Sequence, residues 1–209
     1  MSETTEFWAG EFGDQYLKRN RVNWRARIPF WDRLVAKYGF RSVYEVGANA
    51  GWNLSAIKHA IHGYNVACHG CEINNRAWWQ AKRAGFSLDR GTITENGELI
   101  QKAINSKFKF VMYDNEFDLV YTAGVLIHIG SDELKATMEA VVTASCDYVL
   151  AIEYEADTET EIEYRGHKGK LWKRPYGRMY EEMGLTLVET GKVGKEDGFD
   201  DCTYWMLRK

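Results

Sequence analysis

The stretch Tyr44-Glu45-Val46-Gly47-Ala48-Asn49-Ala50-Gly51-Trp52-Asn53-Leu54 decides how this chain is read. Ser42–Val46 is a short β-prone run and residues 53–61 read as a helix, so a strand must turn sharply through Gly47 and Gly51 into a helix. Glycine accepts the left-handed backbone angles of such a turn, and asparagine tolerates them better than most side chains. A turn of this kind lets backbone approach a ligand and offers it free amides. Alone it is a weak signal, but Glu72 strengthens it. That residue ends the next predicted strand, 21 residues beyond Gly51, where an acid can accept hydrogen bonds from ribose hydroxyls. A tight turn beside an unrelated surface glutamate is the plainer alternative.

From this segment the pattern extends in both directions. Strands are predicted at 42–46, 65–73, 91–93, 117–122 and 148–154, with two late ones at 185–190 and 203–207. Helices fall at 53–61, 76–84 with Asn74 as cap, 98–105, 131–143 and 179–183. Acids in Ser131-Asp132-Glu133-Leu134 suit the positive end of a helix. Strands alternating with helices predict a Rossmann-like α/β fold: a mostly parallel seven-stranded sheet, helices on both faces, and an antiparallel edge hairpin from the two late strands. Residues 155–174 break the alternation and read as an insertion at a strand's carboxyl end, where α/β proteins bind ligands.

The bulk numbers narrow the function classes. The 209 residues are 45% hydrophobic and 27% charged, ordinary for one soluble globular domain spanning 1–209. A net charge of −3 argues against a protein held to nucleic acid by bulk positive charge. The opening Met-Ser-Glu-Thr-Thr-Glu lacks the basic start of a secretory leader, and no apolar run is long enough to span a bilayer, so a cytoplasmic protein without membrane association is expected. Cys68-His69-Gly70-Cys71 has C-x-x-C spacing, but it sits within a predicted strand and lacks a second pair, so core thiols are expected and no metal site.

The glycine turn departs from the dinucleotide fingerprint, since Asn49 stands where the second glycine of G-x-G-x-x-G would admit a diphosphate. A phosphate-free cofactor suits it better. Glu45-x-Gly47-x-x-x-Gly51, the acid Glu72, and Phe117-Asp118-Leu119-Val120 followed by Gly124-Val125-Leu126-Ile127-His128-Ile129 resemble the motifs of class I S-adenosylmethionine-dependent methyltransferases. More narrowly, Phe7-Trp8-Ala9-Gly10-Glu11-Phe12-Gly13-Asp14, Tyr164-Arg165-Gly166-His167-Lys168-Gly169-Lys170-Leu171 and Asp200-Asp201 are similar to the methylases associated with pseudaminic acid biosynthesis. The resemblance implies S-adenosylmethionine as cofactor, S-adenosylhomocysteine as product, and a small sugar-type acceptor.

It also implies roles. Glu45 orders the loop and the methionine amine, Gly47 and Gly51 make room, Asn49 fixes the tail carboxylate, and Asn53 belongs to the same site. Glu72 takes the ribose, Ile73 packs on adenine, Thr92 and Ile93 face the adenine edge, and Thr122, Ala123 and Gly124 line the sulfonium end. Residues 1–40 form an amino-terminal helical lid or cap in which Trp8 and Tyr16 reach the cofactor, or else an aromatic stripe packs on the core.

For an oxygen acceptor, His128 is the candidate general base, with Glu153 and His167 as alternatives; shaping the pocket is the other reading of His128. In the insertion, acids recur at every second position from Glu153 to Glu163, and cations follow. Tyr154, Arg165, His167, Lys168, Lys173 and Arg174 are therefore candidate contacts to an anionic acceptor, such as an acidic or nucleotide-linked sugar. A solvated loop whose charges pair internally is the alternative. Two rival functions remain open. A nucleic-acid methyltransferase lacks its Asp/Asn-Pro-Pro-aromatic or Pro-Cys motif here, although Lys18–Arg27 with Trp24 could touch nucleic acid. A cofactor-binding module without catalysis is the other.

Overall fold

Side chains alternate along the strands and so divide the core into two layers. The structure is a computed structural model describing residues 2–20, 22–94 and 117–209. The strands are β1 (Ser42–Val46), β2 (Ala67–Glu72), β3 (Ser87–Arg90), β4 (Phe117–Ala123), β5 (Ser145–Glu153), β6 (Thr160–Glu161), β7 (Trp172–Lys173), β8 (Thr186–Val193) and β9 (Cys202–Arg208). Seven of them make one sheet in the order β3-β2-β1-β4-β5-β9-β8. The first five are parallel, and β9 enters antiparallel between β5 and β8. The described helices are α1 (Glu3–Ala9), α2 (Glu11–Arg19), α3 (Ile28–Tyr38), α4 (Trp52–His59), α5 (Asn75–Arg83), α6 (Ser131–Ala144) and α7 (Tyr176–Glu182).

One layer joins Val43, Leu119, Tyr121, Leu150, Ile152 and Met206 to Trp31 and Leu34 of α3 and Leu54 and Ile57 of α4. The other joins Tyr44, Val46, Val120, Val149, Ala151 and Leu207 to Leu134, Met138 and Val141 of α6 and Tyr176 and Tyr180 of α7. Each fully buried aliphatic or aromatic side chain contributes roughly 1.5–3 kcal/mol. Cys68 and Cys71 belong to opposite layers, because three residues along a strand reverse the side-chain direction. Burial pushes both thiols up to about 12. They cannot act as a pair.

The predicted architecture is found, with local corrections. The third strand is Ser87–Arg90 rather than 91–93; Gly91 has φ 130 and already turns the chain. The expected helix at 98–105 lies outside the described residues. The insertion holds a small antiparallel pair, β6 with β7, so its acids do not form one extended face. Among the described residues no helix is long and apolar enough to cross a membrane.

Candidate cofactor and active site

The carboxyl ends of β1, β2 and β4 open into a cavity of about 490 Å³. Its floor is the turn after β1, where Gly47 (φ 66), Asn49 (φ 48) and Gly51 (φ 77) are all left-handed. A Cβ on Gly47 would lie 2.7 Å from Val125 Cγ2, so only glycine fits between the first and fourth strand ends. The expected free amides are not there. Ala48 N donates to Cys71 O at 2.9 Å, Asn49 N to Glu72 Oε2 at 2.7 Å, Ala50 N to Asn49 Oδ1 at 2.8 Å, and Gly51 N to Ala48 O at 2.9 Å. The Asn49 amide oxygen is thereby spent on the turn itself.

Two buried carboxylates flank this floor. Glu72, 5% exposed, also accepts Asn74 N at 2.6 Å, so one side chain ties the β1 turn to the β2 turn. Burial raises its pKa, against the amide bonds that lower it. Glu45, 3% exposed, accepts Asn53 Nδ2 at 2.7 Å through Oε1, and the buried Tyr121 hydroxyl lies beside its carboxyl group. Burial pushes Glu45 up to about 8.

The roof is α1 and α2. Ser2 caps α1 by accepting Thr5 N at 3.1 Å, and its hydroxyl donates to Glu133. Lys170 pairs with Glu3 at 2.8 Å; Asp14 pairs with Arg76 at 2.8 Å and accepts Asn74 Nδ2 at 3.1 Å. Trp8 and Tyr16 face the cavity, whereas Phe7 and Phe12 stack at 4.1 Å on the outside. The aromatic residues thus pack and line at once.

Of the residues expected around the cofactor, Trp8, Tyr16, Glu45, Gly47, Asn49, Asn53, Glu72, Ile73, Thr92, Ile93, Ala123 and Gly124 all line the cavity. Gly51 and Thr122 stand behind the wall. Gly51 closes the turn, and Thr122 is fully buried in β4. Arg27, Trp52, Asp132 and Glu133 line it too and were not anticipated. Arg27 sits in the basic run 18–27, which the sequence offers as a contact to nucleic acid, and the acids of α6 read from sequence only as partners of the helix dipole.

His128 is the one candidate base on the wall. It closes a short 3-10 turn, Leu126–His128, and its Nδ1 lies 2.7 Å from Lys170 O. A carbonyl can only accept, so Nδ1 carries the proton and Nε2 the lone pair. Burial holds this imidazole down at about 4, with the carbonyl bond opposing. Glu153 does not line the cavity: fully buried, it accepts Val125 N, Leu126 N and Ile127 N at 3.2, 3.2 and 3.4 Å. Burial raises it to about 7. His167 is exposed and edge-on to Phe7 and Phe12, outside the roof.

None of the expected anion-binding set lines the cavity. Tyr154 donates to Asp200 at 3.2 Å and lies under Lys173. Arg165 lies over Tyr164, and Lys168 is exposed. Arg174, 1% exposed, bonds Glu159 at 2.7 Å, Ile129 O at 3.1 Å, Leu126 O at 3.3 Å and Ser131 Oγ at 3.2 Å. It braces the turn that carries His128.

Solved structures share this fold. The 1,6-didemethyltoxoflavin-N1-methyltransferase of Burkholderia thailandensis, solved with 1,6-didemethyltoxoflavin and S-adenosylhomocysteine bound, superposes with a TM-score of 0.67 at 12% identity, covering 99% of this chain and 86% of that one. The fold is that of the class I methyltransferases. The magnesium protoporphyrin IX methyltransferase of Synechocystis, with bound S-adenosylhomocysteine, gives 0.64 at 9% identity over 98% of this chain and 97% of its own. A SAM-dependent methyltransferase of Archaeoglobus fulgidus gives 0.62 at 12%, over 95% and 100%. No protein-family model and no curated protein matches the sequence.

The buried acids set how stability follows pH. Glu45 and Glu153 hold protons in the folded protein, up to about 8 and 7, that the unfolded chain releases near 4.5. Where the native state binds more protons, stability falls as pH rises. Thermal melts are expected to drop from pH 5.5 to 8.5, and less steeply in Glu45→Gln; an identical slope in that variant contradicts the assignment.

Proposed function

We propose that this chain is an S-adenosylmethionine-dependent methyltransferase acting on a small, sugar-type acceptor in the cytoplasm, as one domain with residues 1–40 as its cap. The observation that carries the cofactor is the state of the floor. A diphosphate needs free amides, whereas here the amides of residues 48–51 are all donated within the protein. An uncharged ribose suits Glu72, and a positively charged amine arriving beside Glu45 would draw off the proton that burial keeps there. Bound S-adenosylmethionine supplies an electrophilic methyl group.

The remaining chemistry belongs to the protein. The cap excludes water above the turn, and orientation of two reactants in such a site can supply on the order of 7–11 kcal/mol. His128 Nε2 receives the proton of an acceptor hydroxyl as the new bond forms. With a pKa near 4 the ring is neutral throughout the physiological range, so no kinetic limb near 6.5 is expected from it. The sugar-type acceptor rests on the resemblance to the pseudaminic acid-associated methylases. Its anionic character draws no support from the cavity wall, because the cations of 165–174 lie elsewhere.

The test is transfer of a labelled methyl group to a panel of acidic, neutral and nucleotide-linked sugars. Turnover on one of them, lowered about 100-fold in kcat by His128→Ala, is the expected result. Cofactor binding without turnover on any sugar would sink the acceptor assignment and leave a binding module.

A further inference from the structure

Trp78 and Trp79 are neighbours in α5 with opposite surroundings. Trp78 packs on the core and donates its Nε1 to Leu88 O at 3.0 Å. Trp79 stays 51% exposed, a large aromatic surface left in water. Arg76 stands one turn before it and Arg83 one turn after, at the i−3 and i+4 spacings that bring side chains together on one helix face. With Gln80, and Leu17 from α2, they line a groove of about 570 Å³ that shares no residue with the cavity.

The groove is cationic although the chain carries a net charge of −3. α5 holds Arg76, Lys82 and Arg83 and no acid, and α2 ends in Lys18 and Arg19. Asp14 reaches this wall from α2 and is taken by Arg76 Nε at 2.8 Å. Arg83 and Lys18 are exposed and have no ion pair among the described residues.

Each part narrows the partner. Guanidiniums call for anionic oxygens, and the flat face of Trp79 between them calls for a group that stacks. An acidic peptide satisfies the first and leaves the indole in water. A bilayer surface needs a broad apolar face, whereas the groove offers only Trp79 and the half-buried Leu17. A single-stranded nucleic acid carries both features, phosphates along its backbone and a π-face on every base. The run from Arg76 to Arg83 gives it about 10 Å of helix to follow.

We propose that the groove between α2 and α5 binds single-stranded nucleic acid, with a base stacked on Trp79 and the flanking phosphates on Arg76, Arg83 and Lys18. It shares only Lys18 with the basic run 18–27, whose own Trp24 is covered by Arg25 at 4.3 Å and His59 at 4.7 Å. The binding stands apart from the cofactor and acceptor readings, because no groove residue lines the cavity.

The experiment is fluorescence anisotropy of a labelled oligothymidylate of about 15 nucleotides, titrated with the full chain at low and then rising salt. Saturable binding is expected, with log K falling against log salt at a slope of about −2, the release of counter-ions from three phosphates. Trp79→Ala is expected to weaken binding about tenfold without changing the slope, since stacking is not ionic. Trp79→Phe keeps an aromatic face and part of the affinity. Arg83→Ala weakens binding and makes the slope shallower by about 0.7. Both positions are exposed, so thermal melts of these variants are expected to match wild type. Arg25→Ala, outside the groove, stays within about twofold of wild type. No binding at low salt overturns the inference, as does binding that Trp79→Ala and Arg83→Ala leave within about twofold of wild type. Phosphatidylserine vesicles and polyglutamate are titrated beside the oligonucleotide. Binding of either in its place assigns the groove to a membrane or an acidic protein and equally overturns the inference.

Discussion

Glu72→Ala is expected to weaken S-adenosylhomocysteine binding at least ~100-fold, the loss of two hydrogen bonds to a charged acceptor. The effect has two sources. The carboxylate faces the cavity from the end of β2, where its remaining lone pairs are open to ligand hydroxyls. It also accepts Asn49 N and Asn74 N, so truncation leaves two backbone donors of the cavity floor without partners. Each buried donor so stranded costs roughly 1–3 kcal/mol and loosens the turn that the ligand must meet. Glu72→Gln separates the sources, since it keeps the volume but points an amide group at one of the two donors. Calorimetry and thermal melts on both variants read the result. A lowered melting temperature with affinity unchanged within about threefold would show that Glu72 only braces the loops.

Arg174→Met is expected to cost about 3 kcal/mol of stability in urea denaturation, at the lower end for breaking a buried ion pair. Glu159 is half exposed and regains water, which moderates the loss. The Leu126 and Ile129 carbonyls, the Ser131 hydroxyl and the face of Trp172 do not recover as easily. Because that same turn carries His128, turnover should fall with stability. Arg165→Ala and Lys168→Ala, at exposed positions of the same cationic run, are expected to stay within about 0.5 kcal/mol of wild type. A cost below about 1 kcal/mol for Arg174→Met would return it to the solvated loop that the sequence alone permits.

Those two arginine classes show where sequence reading stops. Val43, Tyr44 and Val46 alternate into the two core layers, and the glycines after them punctuate the turn, so β1 and its loop were legible from local pattern. The place of Glu72 beside that turn was legible from its offset at the end of the next strand. β3 was misplaced because Ser87-Leu88-Asp89-Arg90 has a single apolar residue and leaves no period to read. Arg174 and Arg165 look alike in sequence; only the carbonyls brought from residues 126–129 make one a buried strut. Glu153 looks like a base at a strand end, but its oxygens are taken by three amides of a turn some 26 to 28 positions earlier. Arg27 was hidden for the same reason: its partners Asn53 and Gly198 are distant in the chain.

The central claim is that the cavity takes a phosphate-free adenosyl ligand, and calorimetric titration of the wild-type chain with S-adenosylhomocysteine and NAD addresses it most directly. Saturable binding of S-adenosylhomocysteine is expected, with Kd on the order of micromolar, and no heat from NAD at the same concentrations. Preference for NAD, or no binding of S-adenosylhomocysteine, would contradict it and leave the α/β fold without its proposed chemistry.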